Sequence, residues 1–320
     1  MNLQYYKRCP FEKVVADTVK NVNISTLIVA LSGGADSVAL LASLASIGNL
    51  RLVAAHCNFH LRGEESMRDQ HFVEKICSEL GVTLLIKDFD VPEFQRQNPS
   101  ASLEMACRDL RYDWFRSLLS EYKADRIATG HNADDNIETM FLNLLRGSGT
   151  TGLKGMVTDT GTILRPLLSL HRNEIEDYLN YKRLDYIVDS SNLTSDFRRN
   201  FLRNEILPML RDRWPGLNKA LDRSIKLIKA ENDVIEKSVA SNLPLPGCPL
   251  PRTTALSFPA PELLVRRYIE KLQPLTTTPA EIIAAMRANK PDIRRWELPG
   301  GKIILKGGKL FLQPYTADTN

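Results

Sequence analysis

No run of about eighteen consecutive apolar residues occurs in this 320-residue sequence, so a helical membrane span is not expected. The first ten residues, Met1 to Pro10, contain no apolar core of signal-peptide length, and a cytoplasmic location is the expectation. Cysteine is scarce and scattered: Cys9, Cys57, Cys77, Cys107 and Cys248 make an odd count with no Cys-x-x-Cys pair. That argues against a disulfide framework and against a zinc site, and it fits reduced thiols in a cytosol. Cys57, Cys77 and Cys107 lie in apolar or helical settings and read as core fillers. There is no Gly-Lys-Ser/Thr after a four-residue spacer, hence no Walker A loop, and no Gly-x-Gly-x-x-Gly dinucleotide fingerprint. A large charge excess is missing too: a net +4 permits nucleic-acid binding without demanding it. No internal repeat or low-complexity tract breaks the chain.

What is present is a globular composition, 43% hydrophobic and 25% charged, at a length that suggests two domains. Short apolar runs at Thr26–Leu31, Arg51–His56, Val82–Ile86, Arg126–Thr129 and Gly161–Leu164 read as strands. Helix-period segments at about 36–47, 66–80 and 102–122 lie between the first four, and a further helix at about 134–145 follows Thr129. Strands alternating with helices predict βαβ units and a doubly wound parallel sheet, an α/β fold. Ligands of such sheets bind at the carboxyl ends of the strands. A second region starts near Trp214-Pro215-Gly216, with a helix from Leu217 to about Ala240 and a Pro-rich turn over Asn242–Pro251. Two more helices, Pro261–Leu272 and Pro279–Arg287, precede two short strands joined by Lys306-Gly307-Gly308-Lys309. The expected division is therefore 1–214, the α/β domain, and 215–320, a smaller, mainly helical domain ending in a β-hairpin.

The most informative six residues are Ser32-Gly33-Gly34-Ala35-Asp36-Ser37, placed between the first strand and a helix. Paired glycines let the backbone turn sharply and approach an anion. The helix that follows offers free N–H groups and its positive dipole end. Ser32 and Ser37 add hydroxyls. Asp36 is out of place beside phosphates unless a cation stands between them, which points to a Mg2+–nucleotide complex.

Other constellations follow the later strands. His56-Cys57-Asn58-Phe59-His60-Leu61-Arg62 reads as a polar loop over a nucleotide, with Arg62 reaching a phosphate or RNA; two histidines four apart are a weaker metal signal. Ser102 N-caps a helix on which Arg108 and Arg111 share a face, as an anion clamp or as members of surface ion pairs such as Glu104–Arg108. In Gly130-His131-Asn132-Ala133-Asp134-Asp135-Asn136-Ile137-Glu138, three carboxylates sit in or near a first helical turn. Helix-dipole stabilisation explains them blandly. Their i,i+3 and i,i+4 spacing also lets Asp134, Asp135 and Glu138 point at one cation, Mg2+ or an organic ammonium.

The hexapeptide resembles the pyrophosphate-binding PP-loop of the ATP pyrophosphatases, an adenine nucleotide alpha hydrolase-like fold. Gly130-His131-x-x-Asp134-Asp135-x-x-Glu138-Thr139, Arg146-Gly147-Ser148-Gly149, His56-x-x-x-His60-x-Arg62-Gly63, Ser102-x-Glu104-x-x-x-Arg108-x-x-Arg111-Tyr112 and Arg165-Pro166-Leu167-Leu168 are similar to the signature of the tRNA(Ile)-lysidine synthetases. So are Asp189-x-Ser191-Asn192 and Arg199-Asn200-x-x-Arg203-Asn204. The match covers roughly residues 23–210; longer members carry one more C-terminal domain, so a chain ending at Asn320 is a short-type or a shortened member.

The resemblance implies an ATP-dependent ligase of tRNA modification. Such an enzyme adenylates C2–O of the wobble cytidine in a CAU-anticodon tRNA(Ile). The α-amine of free L-lysine then displaces AMP, and lysidine lets the tRNA read AUA. It implies that Ser32, Gly33, Gly34, Ala35, Asp36, Ser37 and His56 bind ATP and that Asp36 holds Mg2+. Arg111 stabilises the adenylate, Asp135 and Glu138 grip lysine, and Arg108, Arg199 and Arg203 meet the tRNA. Basic residues from Arg211 to Lys229 and from Arg294 to Lys309 are further RNA contacts under this reading, and a homodimer is a further expectation. The rivals are a PP-loop thiolation enzyme acting on cytidine, disfavoured by the missing cysteine pairs, an amidotransferase-linked synthetase, for which no glutaminase signature exists, and a non-catalytic nucleotide-binding RNA chaperone.

Overall fold

The structure, a computed structural model, describes residues 9–188, 198–272, 279–288 and 293–315. The chain divides into two compact units, Met1–Ile228 and Lys229–Asn320. The sequence reading cuts earlier, at 214/215, because Trp214-Pro215-Gly216 looks like a boundary; the observed division falls inside the long helix that follows.

In the first unit, α1 (Pro10–Asn21) leads into β1 (Thr26–Ala30), α2 (Ala35–Ala45), β2 (Arg51–Asn58), α3 (Glu64–Leu80) and β3 (Thr83–Asp88). A short α4 (Val91–Gln97) and α5 (Leu103–Glu121) return the chain to β4 (Arg126–Ala128), α6 (Ala133–Leu145), α7 (Thr150–Leu153), β5 (Ile163–Leu164) and α8 (Arg172–Lys182). Next come α9 (Arg198–Phe201), one π-helical turn at Leu202–Ile206, α10 (Leu207–Arg213) and α11 (Leu217–Asn242). The five strands are all parallel in the order β3-β2-β1-β4-β5. Their residues alternate between two cores, as a strand buried on both faces requires. Leu27 and Val29 pack with α1, α2, α3 and α8 on one side. Ile28 packs with Phe89, Val91, Trp114, Phe115 and Leu118 on the other. α2 is buried along almost its whole length, which holds the loop before it in one place.

The strand order reverses between β1 and β4. The crevice at the carboxyl ends of those two strands is where a sheet of this type takes its ligand, and the loops Leu31–Gly34 and Thr129–Asn132 line it. No helix among the described residues is long and apolar enough to cross a membrane.

The second unit holds β6 (Leu250–Pro251), α12 (Arg252–Ser257), α13 (Pro261–Ile269), α14 (Ala280–Ala288), β7 (Arg294–Leu298), β8 (Gly301–Lys306) and β9 (Lys309–Pro314). Leu264, Val265, Tyr268, Ile269, Ile283, Met286, Ile303 and Leu310 form its core. The helical region is there, but the expected hairpin is one part of a four-stranded antiparallel sheet, β6-β9-β8-β7. The strand Arg294–Leu298 escaped the reading because its two arginines and glutamate dilute the apolar signal of an exposed edge.

Candidate active site

The Ser32–Ser37 loop is braced from within. Ser37 Oγ donates to the Gly34 carbonyl (2.9 Å) and accepts from the Ser32 N–H (3.2 Å), and the Ser32 and Ser37 hydroxyls are 3.2 Å apart. Gly33 adopts φ +88°, and a Cβ there would come within 2.7 Å of Ile187 Cδ1. Ile187 in turn donates its N–H to the Gly33 carbonyl at 2.9 Å. No side chain caps the first turn of α2 behind Gly34, so its N–H groups are offered to an anion.

Across the crevice, Gly130 makes the close approach possible: a Cβ there would lie 3.0 Å from the carbonyl carbon of Asp36. Asn132 then ties the two loops together. Its Nδ2 donates to Asp36 Oδ1 at 3.0 Å, its Oδ1 accepts from the Asp135 N–H at 3.0 Å, and its own N–H donates to Asp135 Oδ2 at 3.1 Å. The other oxygen of Asp36 accepts from Arg172 Nη1 at 2.7 Å. Burial pushes the Asp36 carboxyl above its ordinary range even against Arg172, and Asp135 adds to that push. A half-buried, hard-to-ionise carboxylate in a phosphate loop is a group that gains from a cation.

Asp135 and Glu138 do lie together, but not open to solvent. Glu138 is only 1% exposed. Arg199 Nε reaches Glu138 Oε2 at 2.7 Å and Arg203 Nε reaches Oε1 at 2.6 Å. Their Nη2 atoms stand 3.1 and 2.9 Å from Asp135 Oδ1. The two arginines come from α9 and the π-helical turn, whose widened spacing sets both on one face. The sequence reading gives the acids to lysine and the arginines to tRNA; the structure joins all four in one neutral network. Asp134 goes elsewhere. It takes the Arg172 N–H (2.8 Å), His171 Nδ1 (3.2 Å) and Arg211 Nη2 (2.5 Å). The idea of three carboxylates around one cation is therefore corrected to two, because the helix turns Asp134 toward α8 and α10.

His56 is buried, and its Nδ1 lies 2.9 Å from the Leu31 carbonyl. A carbonyl only accepts, so Nδ1 carries the proton; burial lowers the pKa and leaves Nε2 a neutral acceptor. His60 turns away to Asp88 and Arg62 pairs with Asp69 at 2.9 Å, so the two histidines share no metal and Arg62 is spent on the α3 carboxylate. Arg108 lies over the Tyr112 ring at 4.8 Å and Arg111 over Phe59 at 5.4 Å. Arg111 also bonds the half-buried Cys57 thiol, whose pKa desolvation pushes up to about 12. The sequence motif gives His131 no role of its own. Its pKa falls to about 4 through burial and then through Arg165, Arg199, Arg108 and Arg111. A neutral imidazole, held 2.8 Å from Thr129 Oγ1, thus stands near four guanidinium groups, of which Arg199 is balanced by Asp135 and Glu138 and the other three suit an anion.

Among the described residues no cluster of three or more His, Cys, Asp or Glu side chains can hold a metal by itself. One carboxylate beside a phosphate loop fits Mg2+ that arrives with a nucleotide, since Mg2+ keeps most of its waters and takes the rest of its ligands from phosphates.

Residues 8–210 match the family model of the PP-loop domain. The chain belongs to the PP-loop family of ATP-binding domains. Among curated relatives of this PP-loop chain, the tRNA(Ile)-lysidine synthase of Porphyromonas gingivalis W83 is 51% identical over 199 residues, covering 62% of this chain and 43% of that protein. The one from Bacteroides thetaiotaomicron is 41% identical over 260 residues, covering 80% and 59%. That of Chlorobaculum tepidum is 44% identical over 195 residues, covering 60% and 59%. The chain thus spans about half the length of the curated relatives it matches. Among solved structures, a U34-tRNA thiolase from Methanococcus maripaludis superposes with a TM-score of 0.55 at 21% identity, covering 68% of this chain and 78% of that one. That likeness shows the fold.

Asn132, His131 and Arg172 are the site residues that motif reading passed over. Asn132 carried a signal, the N-cap of a helix straight after a strand end. Arg172 carried none, because its partner lies 136 residues away.

Proposed function

We propose that this protein ligates L-lysine to C2 of the wobble cytidine of a CAU-anticodon isoleucine tRNA, at the expense of ATP. One observation carries the reading. A phosphate loop and an acid–arginine network share a single crevice, with Asn132 touching Asp36 on one side and Asp135 on the other. The similarity to tRNA(Ile)-lysidine synthases runs through this same part of the chain.

In the first step the cytosine C2 oxygen attacks the α-phosphorus of ATP, the bond to the β-phosphate oxygen breaks, and pyrophosphate leaves. The Ser32–Ser37 loop and the first turn of α2 hold the phosphates in line, and positioning with charge stabilisation supplies the rate. Mg2+ bound with the nucleotide would neutralise charge on the leaving pyrophosphate, and Asp36 is the residue to hold it. Arg108, Arg111 and Arg165 surround the place where the adenylate and the RNA backbone bring negative charge.

In the second step an amine of lysine attacks C2, its proton passes to water, the C2–O bond breaks, and AMP leaves with that oxygen. An amino acid presents an ammonium and a carboxylate side by side. Asp135 and Glu138 match the first and Arg199 and Arg203 the second, so the side-chain amine is left to reach C2, a departure from the α-amine attack expected from the resemblance. Under this reading Arg108 keeps its RNA role while Arg199 and Arg203 turn to the amino acid. Thiolation finds no support in five scattered, unpaired cysteines. A tRNA substrate puts such an enzyme in the cytoplasm.

The test is AMP formation from ATP and Mg2+ with an unmodified CAU-anticodon isoleucine tRNA, with and without lysine. AMP release that needs both tRNA and lysine is the expected result. ATP turnover indifferent to lysine would remove the lysine site.

A further inference from the structure

Arg172 opens α8, and nothing in the sequence motifs gives it a role. Its guanidinium lies across the mouth of the phosphate loop: Nη1 is 2.7 Å from Asp36 Oδ2, while Nε is held 2.8 Å from Glu176 Oε1 one helical turn on. The side chain is 44% exposed, so its tip is free to swing while the Glu176 contact keeps it near the loop. Asp36 is held on its second oxygen by Asn132, which keeps the carboxylate aimed at the crevice whether or not Arg172 stays. With a guanidinium on one oxygen and an amide on the other, both oxygens of Asp36 are engaged, and among the described residues no cluster of three or more His, Cys, Asp or Glu side chains offers a metal an alternative.

We propose that Arg172 is a placeholder cation: it neutralises Asp36 while the loop is without phosphates, and passes to the pyrophosphate oxygens when a metal–nucleotide takes Asp36. The inference rests on the reading of this loop as a phosphate site, and on nothing concerning lysine or tRNA. It makes metal entry conditional on phosphate. A bare divalent ion must displace a guanidinium whose other carboxylate, Glu176, is already engaged through Nε, so the Nη1 contact to Asp36 is lost without replacement. A metal–pyrophosphate brings the replacement with it, and a planar guanidinium suits paired phosphate oxygens.

The experiment uses the full chain with Mn2+ in place of Mg2+, read by electron paramagnetic resonance of free Mn2+, and pyrophosphate binding by calorimetry. The parent protein and Arg172→Gln are compared, with Arg172→Lys keeping the charge. In the absence of phosphates, Arg172→Gln is expected to bind Mn2+ about tenfold or more tightly than the parent. With Mn2+ present it is expected to bind pyrophosphate about tenfold more weakly. Arg172→Lys should stay near the parent in both. A loosened α8 would lower both affinities together, so a Mn2+ affinity that is unchanged or reduced in Arg172→Gln overturns the proposal. A parent that binds no pyrophosphate removes the phosphate site on which it stands, whatever the lysine dependence of AMP release.

Discussion

His171 joins the helices around the site through charge, and the consequence can be measured. Its ring lies between two carboxylates, Asp134 of α6 at 3.2 Å and Asp222 of α11 at 2.9 Å, and the same Asp134 also takes the Arg172 N–H and Arg211. The hydrogen bond to Asp134 leads the causes that raise the His171 pKa from 6.5 to about 9. A folded value above the unfolded one means that protonation stabilises the fold. The contribution is complete below pH 6.5 and is lost as pH climbs through about 9. At 1.36 kcal/mol per pH unit the rise corresponds to at most ~3 kcal/mol, equivalent to ~6–12 °C in Tm for a unit of this size. Thermal unfolding by circular dichroism between pH 6 and 10 should show a fall spanning pH 6.5 to about 9 in the parent. His171→Asn, which still N-caps α8, should start lower and stay flat across that window. An identical slope in parent and variant would refute the assignment.

Three further outcomes follow from contacts at the site. Asp36→Ala should lower AMP formation by ~10²–10³-fold while tRNA binding, followed by filter retention, stays close to the parent. Glu138→Gln should raise the lysine KM by about tenfold and leave the ATP KM within about twofold, measured by varying each substrate in turn; equal effects on both would take Glu138 out of lysine recognition. Gly130→Ala forces a methyl to within 3.0 Å of the Asp36 backbone. It should raise the ATP KM and cost about 1–3 kcal/mol of stability in denaturant unfolding, with ordinary stability and an unchanged KM as the contrary result.

The sheet was legible because its strands advertise themselves: Thr26–Ala30 is apolar on both faces, and the Gly-Gly turn sits directly after it. Even the two-residue β5 falls inside the apolar run Gly161–Leu164, whereas the exposed β7 was less legible, for Arg294, Arg295 and Glu297 on a solvent edge. Local spacing correctly joined Asp135 with Glu138 but also added Asp134, since helical periodicity says which residues are neighbours and not what stands opposite. The opposing groups, Arg172 on Asp36 and Arg199 with Arg203 on Glu138, come from chain segments 136 and 61–65 residues away. Only tertiary packing brings them in, and with them the site changes from open carboxylates to charges already balanced before any substrate arrives.

The most direct test of the central claim is the mass of the anticodon-loop fragment cut from a CAU-anticodon isoleucine tRNA after incubation with the protein, ATP, Mg2+ and lysine. The account predicts that the fragment gains one lysine less one water, at the wobble cytidine, and that Glu138→Gln suppresses the gain at low lysine. An unchanged fragment mass in the presence of ATP hydrolysis would contradict it.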